Sequence, residues 1–139
     1  MTDPQAFGVP RRSFSKLISA GFEVISERRS SPQDTVLVLR RGSCEVLLGR
    51  DRGQIFVTLR VPGTDLDYEV AIWESCLDGE APSLDVRGFD VDVEVLVKRF
   101  ADIERTATKG GQALLDCLRD AGLRRFHERR ERGLIHRPS

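Results

Sequence analysis

The spacing of apolar residues changes twice along this chain, and that change constrains the fold more than any other feature. Between Phe22 and Val61 most apolar residues recur at every second position, the period of a strand with one buried face. The exception is 36–39, which is apolar at every position, as expected of an interior strand covered on two sides. On either side of this segment they recur at every third or fourth position, the period of an amphipathic helix. One block of strands between helical segments predicts an α+β fold.

Four strands are predicted inside the alternating segment, at 22–27, 36–39, 44–49 and 54–61. The links Arg41-Gly42-Ser43 and Asp51-Arg52-Gly53 are short and carry glycine where a hairpin turn needs a positive φ. Short hairpin links join neighbouring antiparallel strands. The sequence therefore predicts a four-stranded antiparallel meander in chain order.

A short N-terminal helix is predicted before the sheet, and three helices are predicted after it. The first helix begins at Ser13, a residue suited to the N-cap, and ends at Gly21. Residues 66–77 fit either a strand or a helix, and we favour the helix because Thr64 or Asp65 can cap its start.

The other two helices are predicted from the period of their apolar residues. One runs from about Val91 to Thr106. The last carries Leu114 and Leu118 inward and ends at Gly122, which can take the left-handed conformation that closes helices. We expect the three helices to pack on one face of the sheet.

A chain of 139 residues has the length of one domain, which buries about two-thirds of its unfolded surface. We predict a single α+β domain at 13–123, with an irregular lead-in at 1–12 and an Arg-rich C-terminal tail at 124–139. The sequence has neither the apolar core of a signal peptide nor the roughly 20 apolar residues of a membrane span. We therefore expect a cytoplasmic protein that does not associate with membranes.

The net charge of zero conceals three charge blocks. Basic residues exceed acidic ones by four in 1–60 and by four in 109–139, whereas acidic residues are in excess by eight in 61–108. Such blocks fit either neutralisation inside the fold or separate charged surfaces for a partner. The zero net charge, with Glu128 and Glu131 inside the Arg-rich segment, argues against nucleic-acid binding.

Two acidic triplets have the residue types of a metal site. Asp65-x-Asp67-x-Glu69 and Asp90-x-Asp92-x-Glu94 offer oxygen ligands for Mg²⁺ or Ca²⁺, but residues i and i+2 diverge on a helix. Acidic residues at helix starts interact favourably with the helix dipole, which explains both triplets. We predict no metal, no cofactor and no catalytic residue.

The cysteines and histidines fit structural roles. Cys44, Cys76 and Cys117 each fall inside an apolar pattern, typical of small buried side chains, and a reducing cytosol is the simplest setting for them. His127 and His136 lie in the Arg-rich tail, where a general base would lack an enclosed site. These residues do not support a nucleophile or a catalytic dyad.

Three segments together carry a resemblance to a known kind of protein: a short helix ending Ala20-Gly21-Phe22, strands leading to 50–57, and Leu66-Asp67-Tyr68 opening a helix. The layout resembles small bacterial α+β proteins that look like toxin-immunity proteins, over roughly residues 14–120. The resemblance implies a protein that binds a cognate toxin domain and blocks its active site or its movement, without catalysis of its own.

We therefore expect a non-enzymatic protein that binds a protein partner, with a toxin domain as the implied case. Complementary charge speeds association, so the acidic block is a candidate surface for a basic partner. The candidate contact residues are Asp65, Asp67, Asp90 and Asp92 in that block, and Arg52 and Gln54 at a hairpin tip. The alternative is a small-ligand-binding or regulatory module with a pocket between the sheet and the helices.

Overall fold

Five antiparallel strands form one sheet in chain order, in a computed structural model that describes residues 2–84 and 87–133. The strands are β1 (Glu23–Ser31), β2 (Asp34–Arg41), β3 (Cys44–Asp51), β4 (Gln54–Arg60) and β5 (Asp67–Glu69). The helices are α1 (Arg11–Ser19), α2 (Val70–Asp78), α3 (Phe89–Lys98), α4 (Phe100–Lys109) and α5 (Gly111–Glu131). The α+β class and the antiparallel meander are confirmed, with one strand more than predicted.

The two faces of the sheet differ because side chains alternate along each strand. The cross-strand row Leu37, Leu48 and Val57 belongs to the inner face, where all three side chains are buried against the helices. The alternate positions belong to the outer face, where Val36 and Leu47 are half-buried and Val38 is buried. The core therefore lies between the inner face and the helices.

Aromatic residues fill the largest spaces of this core. Trp73 on α2 is 1% exposed and donates its indole N–H to the Leu59 carbonyl at 3.3 Å, so its one polar group is satisfied. Phe22 and Phe100 meet edge to face with ring centroids 5.0 Å apart. These contacts fix α2 and α4 on the inner face.

The ambiguous segment 66–77 is a strand followed by a helix, where the sequence favours a helix throughout. The Val61 N–H donates to the Leu66 carbonyl at 2.8 Å and turns the chain back beside β4. Tyr68 then stands opposite Leu59 in the three-residue strand β5. The helical start predicted at Thr64 or Asp65 is wrong, because the open edge of β4 pairs with this segment first.

The helix predicted from Val91 to Thr106 is two helices. Arg99 separates α3 from α4 with φ −102° and ψ 12°, and its guanidinium bonds the Asp78 carboxylate at 2.7 and 3.0 Å. The next residue, Phe100, is 2% exposed in the core. At this break between the helices, Arg99 connects the end of α3 to the end of α2, while Phe100 packs in the core.

The last helix does not end at Gly122 but continues to Glu131. Gly122 has no positive φ, and a Cβ built on it would lie 3.6 Å from Ile72 and 3.7 Å from Tyr68. Arg125, which the sequence places beyond the helix, is 7% exposed. Gly122 is therefore a point of close helix packing, and part of the Arg-rich segment is helical.

The first helix also begins differently from the prediction. Pro10 occupies the N-cap position, and Ser13 lies inside α1 with 2% of its surface exposed. The Ser13 hydroxyl donates to the Asp90 carboxylate, which joins α1 to α3. Gly21 has φ +97°, as the predicted helix end requires.

A disulfide joins Cys76 on α2 to Cys117 on α5, where separate buried thiols are predicted. Cys44 is free and 2% exposed, and burial raises the pKa of its thiol, which favours the unreactive protonated form. Disulfides are typical of oxidising compartments, whereas a cytoplasmic protein is predicted from the sequence. The cytoplasmic location stays a prediction. None of the helices within 2–84 and 87–133 is long and apolar enough to cross a membrane.

Candidate functional site: a groove at the free edge of β4

An open groove of about 690 Å³ crosses the outer face of the sheet and passes around the edge of β4. Its apolar floor is formed by Val36, Leu47 and Phe56 on the outer face, and Phe89 of α3 lines it beyond the edge. Charged side chains surround this floor: Arg28, Asp34, Arg50, Asp51, Asp67, Glu69, Arg87, Asp92, Arg125 and Arg129. A volume of this size is typical of ligand and peptide sites.

Gly49 lies between the two floor residues Val36 and Phe56 in one cross-strand row, and its φ is +154°. A Cβ on this residue would lie 2.1 Å from the carbonyl oxygen of Thr35 on the neighbouring strand, so no side chain fits there.

Part of the β4 edge has no strand partner among the described residues because β5 is short. Pairing between β4 and β5 is confined to Thr58–Arg60 and Asp67–Glu69, so no described strand pairs with the outer side of Gln54–Val57. Ile55 is 39% exposed there, whereas Val57, two residues further on, is 4% exposed. This part of the edge carries no charge and shows no register shift in its pairing with β3.

The opposite edge of the sheet is protected. Strand β1 carries Glu23, Glu27, Arg28 and Arg29, and its pairing with β2 has two irregularities. Charges and bulges on an edge strand hinder the addition of a further strand. Of the two edges, only that of β4 offers uncharged backbone to another chain.

Arg125 of α5 forms one wall of the groove. Its guanidinium donates to the Glu69 carboxylate at 2.6 Å and to the Ser83 carbonyl at 2.8 Å. Glu69 is the last residue of β5 and directly precedes α2. The contact therefore fixes the C-terminal half of α5 against the end of β5.

A second set of ion pairs lies where the groove meets α2 and α3. Arg87 reaches Glu74 at 2.5 Å and Asp92 at 2.7 Å. Burial raises the pKa of Asp92, and Arg87 opposes that shift only in part, while the Glu69 and Glu74 carboxylates add to it. Asp92 is thus an ionisable group held in a partly desolvated position at the groove.

Three of the five groove arginines have no carboxylate partner within 2–84 and 87–133. They are Arg28 and Arg50, both exposed, and Arg129, whose buried Nε has no hydrogen-bond partner in that part of the chain. Among the five groove carboxylates, Asp92 and Glu69 pair with Arg87 and Arg125, whereas Asp34, Asp51 and Asp67 have no cationic partner among the described residues. The five arginines and five carboxylates of the groove therefore balance, and its formal charge is zero.

The structure brings three of the six candidate contact residues together. Asp67, Asp92 and Gln54 line the groove. The other three lie outside it: Asp65 and Asp90 are exposed elsewhere, and Arg52 is at the hairpin tip with φ +52°. Their role in partner binding stays a prediction.

Many acidic side chains of the block 61–108 contact basic or polar side chains of the same chain, and those of Asp67, Asp78 and Glu94 do so at the surface. Asp67 accepts from the Thr58 hydroxyl at 2.5 Å, Glu94 contacts Lys16 at 2.8 Å, and Asp78 contacts Arg99. Lys16 holds the pKa of Glu94 below its usual range. Of the two interpretations that the charge blocks allow, these contacts support internal neutralisation.

The groove residues that sequence reasoning missed are Ile55, Phe56, Arg125 and Arg129. Ile55 has the same alternation as the buried Val57, so the pattern alone assigns both to the core. The signal that could have separated them is the length of the next strand. Among the side chains that the structure describes, no group of three His, Cys, Asp or Glu is placed to hold a metal ion.

Comparison of the chain with protein-family models, with curated proteins and with solved structures finds no match.

Proposed function

We propose that this protein is a non-enzymatic binding protein whose groove receives part of a protein partner. One observation carries the proposal: an open groove of about 690 Å³ follows the uncharged edge at Gln54–Val57, with which no described strand pairs. Protein partners are bound by such combinations of an apolar floor, a polar rim and free edge backbone. A cognate bacterial toxin domain, which the sequence resemblance implies, is the first partner to test.

The rim supports a binding role because its charged groups are oriented in advance. Arg125 and Arg87 are held by Glu69 and Asp92, so these side chains lose little freedom when a partner arrives. The half-buried Phe56 and the exposed Ile55 add apolar surface that a partner could cover. The site therefore combines apolar contact area with fixed polar contacts.

Two matched substitutions test the proposal. Ile55 and Ile25 are both 39% exposed, but Ile55 lines the groove and Ile25 lies on β1 at the opposite edge. Purified wild-type protein, Ile55→Glu and Ile25→Glu are used to capture proteins from a lysate of the native host. We expect a protein that wild type and Ile25→Glu retain equally and that Ile55→Glu retains at least about tenfold more weakly. Equal retention by all three would exclude the groove as the binding surface.

The toxin-immunity case needs a further result. Expression of the captured partner alone should stop cell growth, and co-expression of wild-type protein should restore it. Co-expression of Ile55→Glu should fail to restore growth, whereas Ile25→Glu should restore it fully. A partner that is harmless when expressed alone would refute the immunity role and leave the binding role standing.

A small anionic ligand is the second candidate, favoured by Arg129, whose buried Nε has no hydrogen-bond partner among the described residues, beside a groove of ligand-site volume. A thermal-shift screen with phosphorylated and carboxylated metabolites tests this role. A compound that stabilises wild type and fails to stabilise Arg129→Gln would support it. No stabilisation at millimolar concentration would remove it.

A further inference from the structure

The hairpin turn between β3 and β4 fixes which backbone groups point out of the sheet. Arg52 and Gly53 have φ +52° and +81°, the conformation of a two-residue turn, and Asp51 and Gln54 pair on either side of it. The pair that flanks such a turn is hydrogen-bonded, and hydrogen bonding alternates along an antiparallel strand. Ile55 therefore directs its N–H and C=O away from β3, toward the free edge.

The two ends of the free edge leave one register for a second β4 strand. A closed dimer has a two-fold axis, so the two strands run antiparallel, and outward-pointing residues pair only with each other. If Ile55 paired with Val57 of a second copy, Gln54 would need the place opposite Thr58 that Glu69 of that copy already holds. Pairing of Ile55 with Ile55 avoids this conflict and puts residue 55 on the two-fold axis.

The side chains of the edge suit a two-fold axis at this position. The axis sets residue 55 beside its own copy, where a charged side chain would face the same charge. Ile55 is uncharged and 39% exposed, so the two isoleucines can cover each other. Phe56 then lies opposite Gln54 of the second copy, and each Ile55 offers its N–H to the C=O of the other.

The charges around the edge are complementary to those of a second copy. The groove lining has a formal charge of zero, as does the whole chain, so two copies do not repel each other through a net charge. Arg52 at the hairpin tip and Asp67 in the groove have no partner of opposite charge within 2–84 and 87–133. The register above brings Arg52 of each copy to the end of β5, where Asp67 of the other copy lies.

We infer that a second copy of this chain occupies the free edge of β4. The two β4 strands pair antiparallel about Ile55 and join the two sheets into one, and the charged edge of β1 stays outside the contact. An interface of a few strand residues is small, so the dimer is weak and reversible. Self-pairing goes beyond the proposed binding function, because a partner protein that uses the same edge has to displace the second copy.

Sedimentation equilibrium of the purified full-length protein tests self-association. The mass should rise from 15.6 kDa at about 10 µM toward twice that value at about 1 mM. Ile55→Glu and Ile55→Lys should each stay monomeric, because the axis sets like charges together. An equimolar mixture of these two variants should form a heterodimer, because the axis then sets opposite charges together. Ile25→Glu, a change at an equally exposed residue of β1, should associate like wild type.

Amide hydrogen exchange of wild type tests the register without any substitution. The Ile55 amide should exchange about fivefold more slowly at about 1 mM than at about 10 µM, whereas the Phe56 amide, already bonded to β3, should change little. The contact between Arg52 and Asp67 has its own test. Arg52→Glu should weaken self-association about fivefold, and Arg29→Glu, at an exposed residue of β1, should leave it unchanged.

The outcomes separate the second copy from the proposed partner. A mass of 15.6 kDa at every concentration would overturn the self-pairing and leave the proposed binding function untouched. Self-association that Ile55→Glu retains, or a mixture of Ile55→Glu and Ile55→Lys that stays monomeric, would also overturn it. Slower exchange at Ile55 only after addition of a protein captured from the lysate would assign the edge to that partner alone. Equal retention of lysate proteins by Ile55→Glu and Ile25→Glu would refute the proposed function whether or not the protein self-associates.

Discussion

Replacement of Arg125 by Met should destabilise the protein because α5 continues past Gly122 and is anchored there. The guanidinium donates to Glu69 at 2.6 Å and to the Ser83 carbonyl at 2.8 Å, and the Arg125 side chain is 8% exposed. Met keeps the apolar stem and removes the polar contacts of the guanidinium. The substitution therefore isolates the polar contacts that hold α5 against β5.

The contacts set the size of the effect. A hydrogen bond to a charged group contributes about 1.5–3 kcal/mol. The Glu69 side chain is 54% exposed, so water can solvate its carboxylate after the substitution, which favours the lower part of that range. We expect Arg125→Met to lose about 2 kcal/mol of unfolding free energy, which is roughly 6–8 °C in melting temperature for a chain of this size.

Arg124→Met is the matched control, since Arg124 is exposed on the same helix. Urea unfolding followed by far-ultraviolet circular dichroism gives the free energies of unfolding of wild type and both variants. Arg124→Met should lie within about 0.5 kcal/mol of wild type. Equal stability of the two variants would refute the anchoring of α5 by Arg125.

Three further predictions test other parts of the fold. Gly122→Ala should raise the unfolding free energy by about 0.5–1 kcal/mol, because the position is helical and has room for a Cβ. Gly21→Ala should lower the unfolding free energy, because Gly21 has φ +97°. A lower unfolding free energy for Gly122→Ala in urea would instead indicate that the helix ends at Gly122. Reduction of the Cys76–Cys117 disulfide should lower the unfolding free energy by about 2–4 kcal/mol, because the bond closes a loop across 41 positions. A reductant should not change the stability of the variant with serine at both positions. A change in that variant would show that the effect of the reductant does not come from this disulfide. Burial raises the pKa of Asp92, so its ionisation lowers the stability of the folded state as pH rises above the pKa of the unfolded chain. The stability of Asp92→Asn relative to wild type should therefore increase between pH 3.8 and neutrality. A decrease in that difference in paired thermal melts would show that the ion pair with Arg87 outweighs the desolvation of Asp92.

Local patterns were sufficient for β1 to β4. The apolar alternation of β4 is regular, and the turns from β2 to β3 and from β3 to β4 are short and carry Gly42 and Gly53 at positive φ. Such hairpins are specified by neighbouring residues, so periodicity and turn chemistry predict them. The class and the order of these strands follow from the sequence for that reason.

Tertiary contacts decided the elements that sequence reasoning missed. Gly122 has the same Ala-Gly-apolar surroundings as Gly21, but Ile72 and Tyr68 pack against it and the helix continues. Arg99 bends the chain between α3 and α4 because it bonds to Asp78 of another helix. Neither contact is visible in a local pattern.

The groove could not be predicted because it depends on where distant elements end. Ile55 and Val57 follow one alternation, and their different exposure arises from a β5 of only three residues. Arg125 and Glu69 lie 56 positions apart in the sequence, so their ion pair forms only once the chain has folded. The sequence predicted a binding protein and named Gln54, Asp67 and Asp92 of this groove, but it did not predict the unpaired edge at 54–57.

Site-specific photo-crosslinking in cells of the native host tests the central claim most directly. A benzophenone amino acid replaces Gln54, which is exposed in the groove, or Glu27, which is exposed on β1 at the other edge. We expect irradiation to join one partner protein to the Gln54 variant, and the same adduct to be at least about tenfold weaker from position 27. An equal or stronger adduct from position 27 would contradict a binding site at the edge of β4.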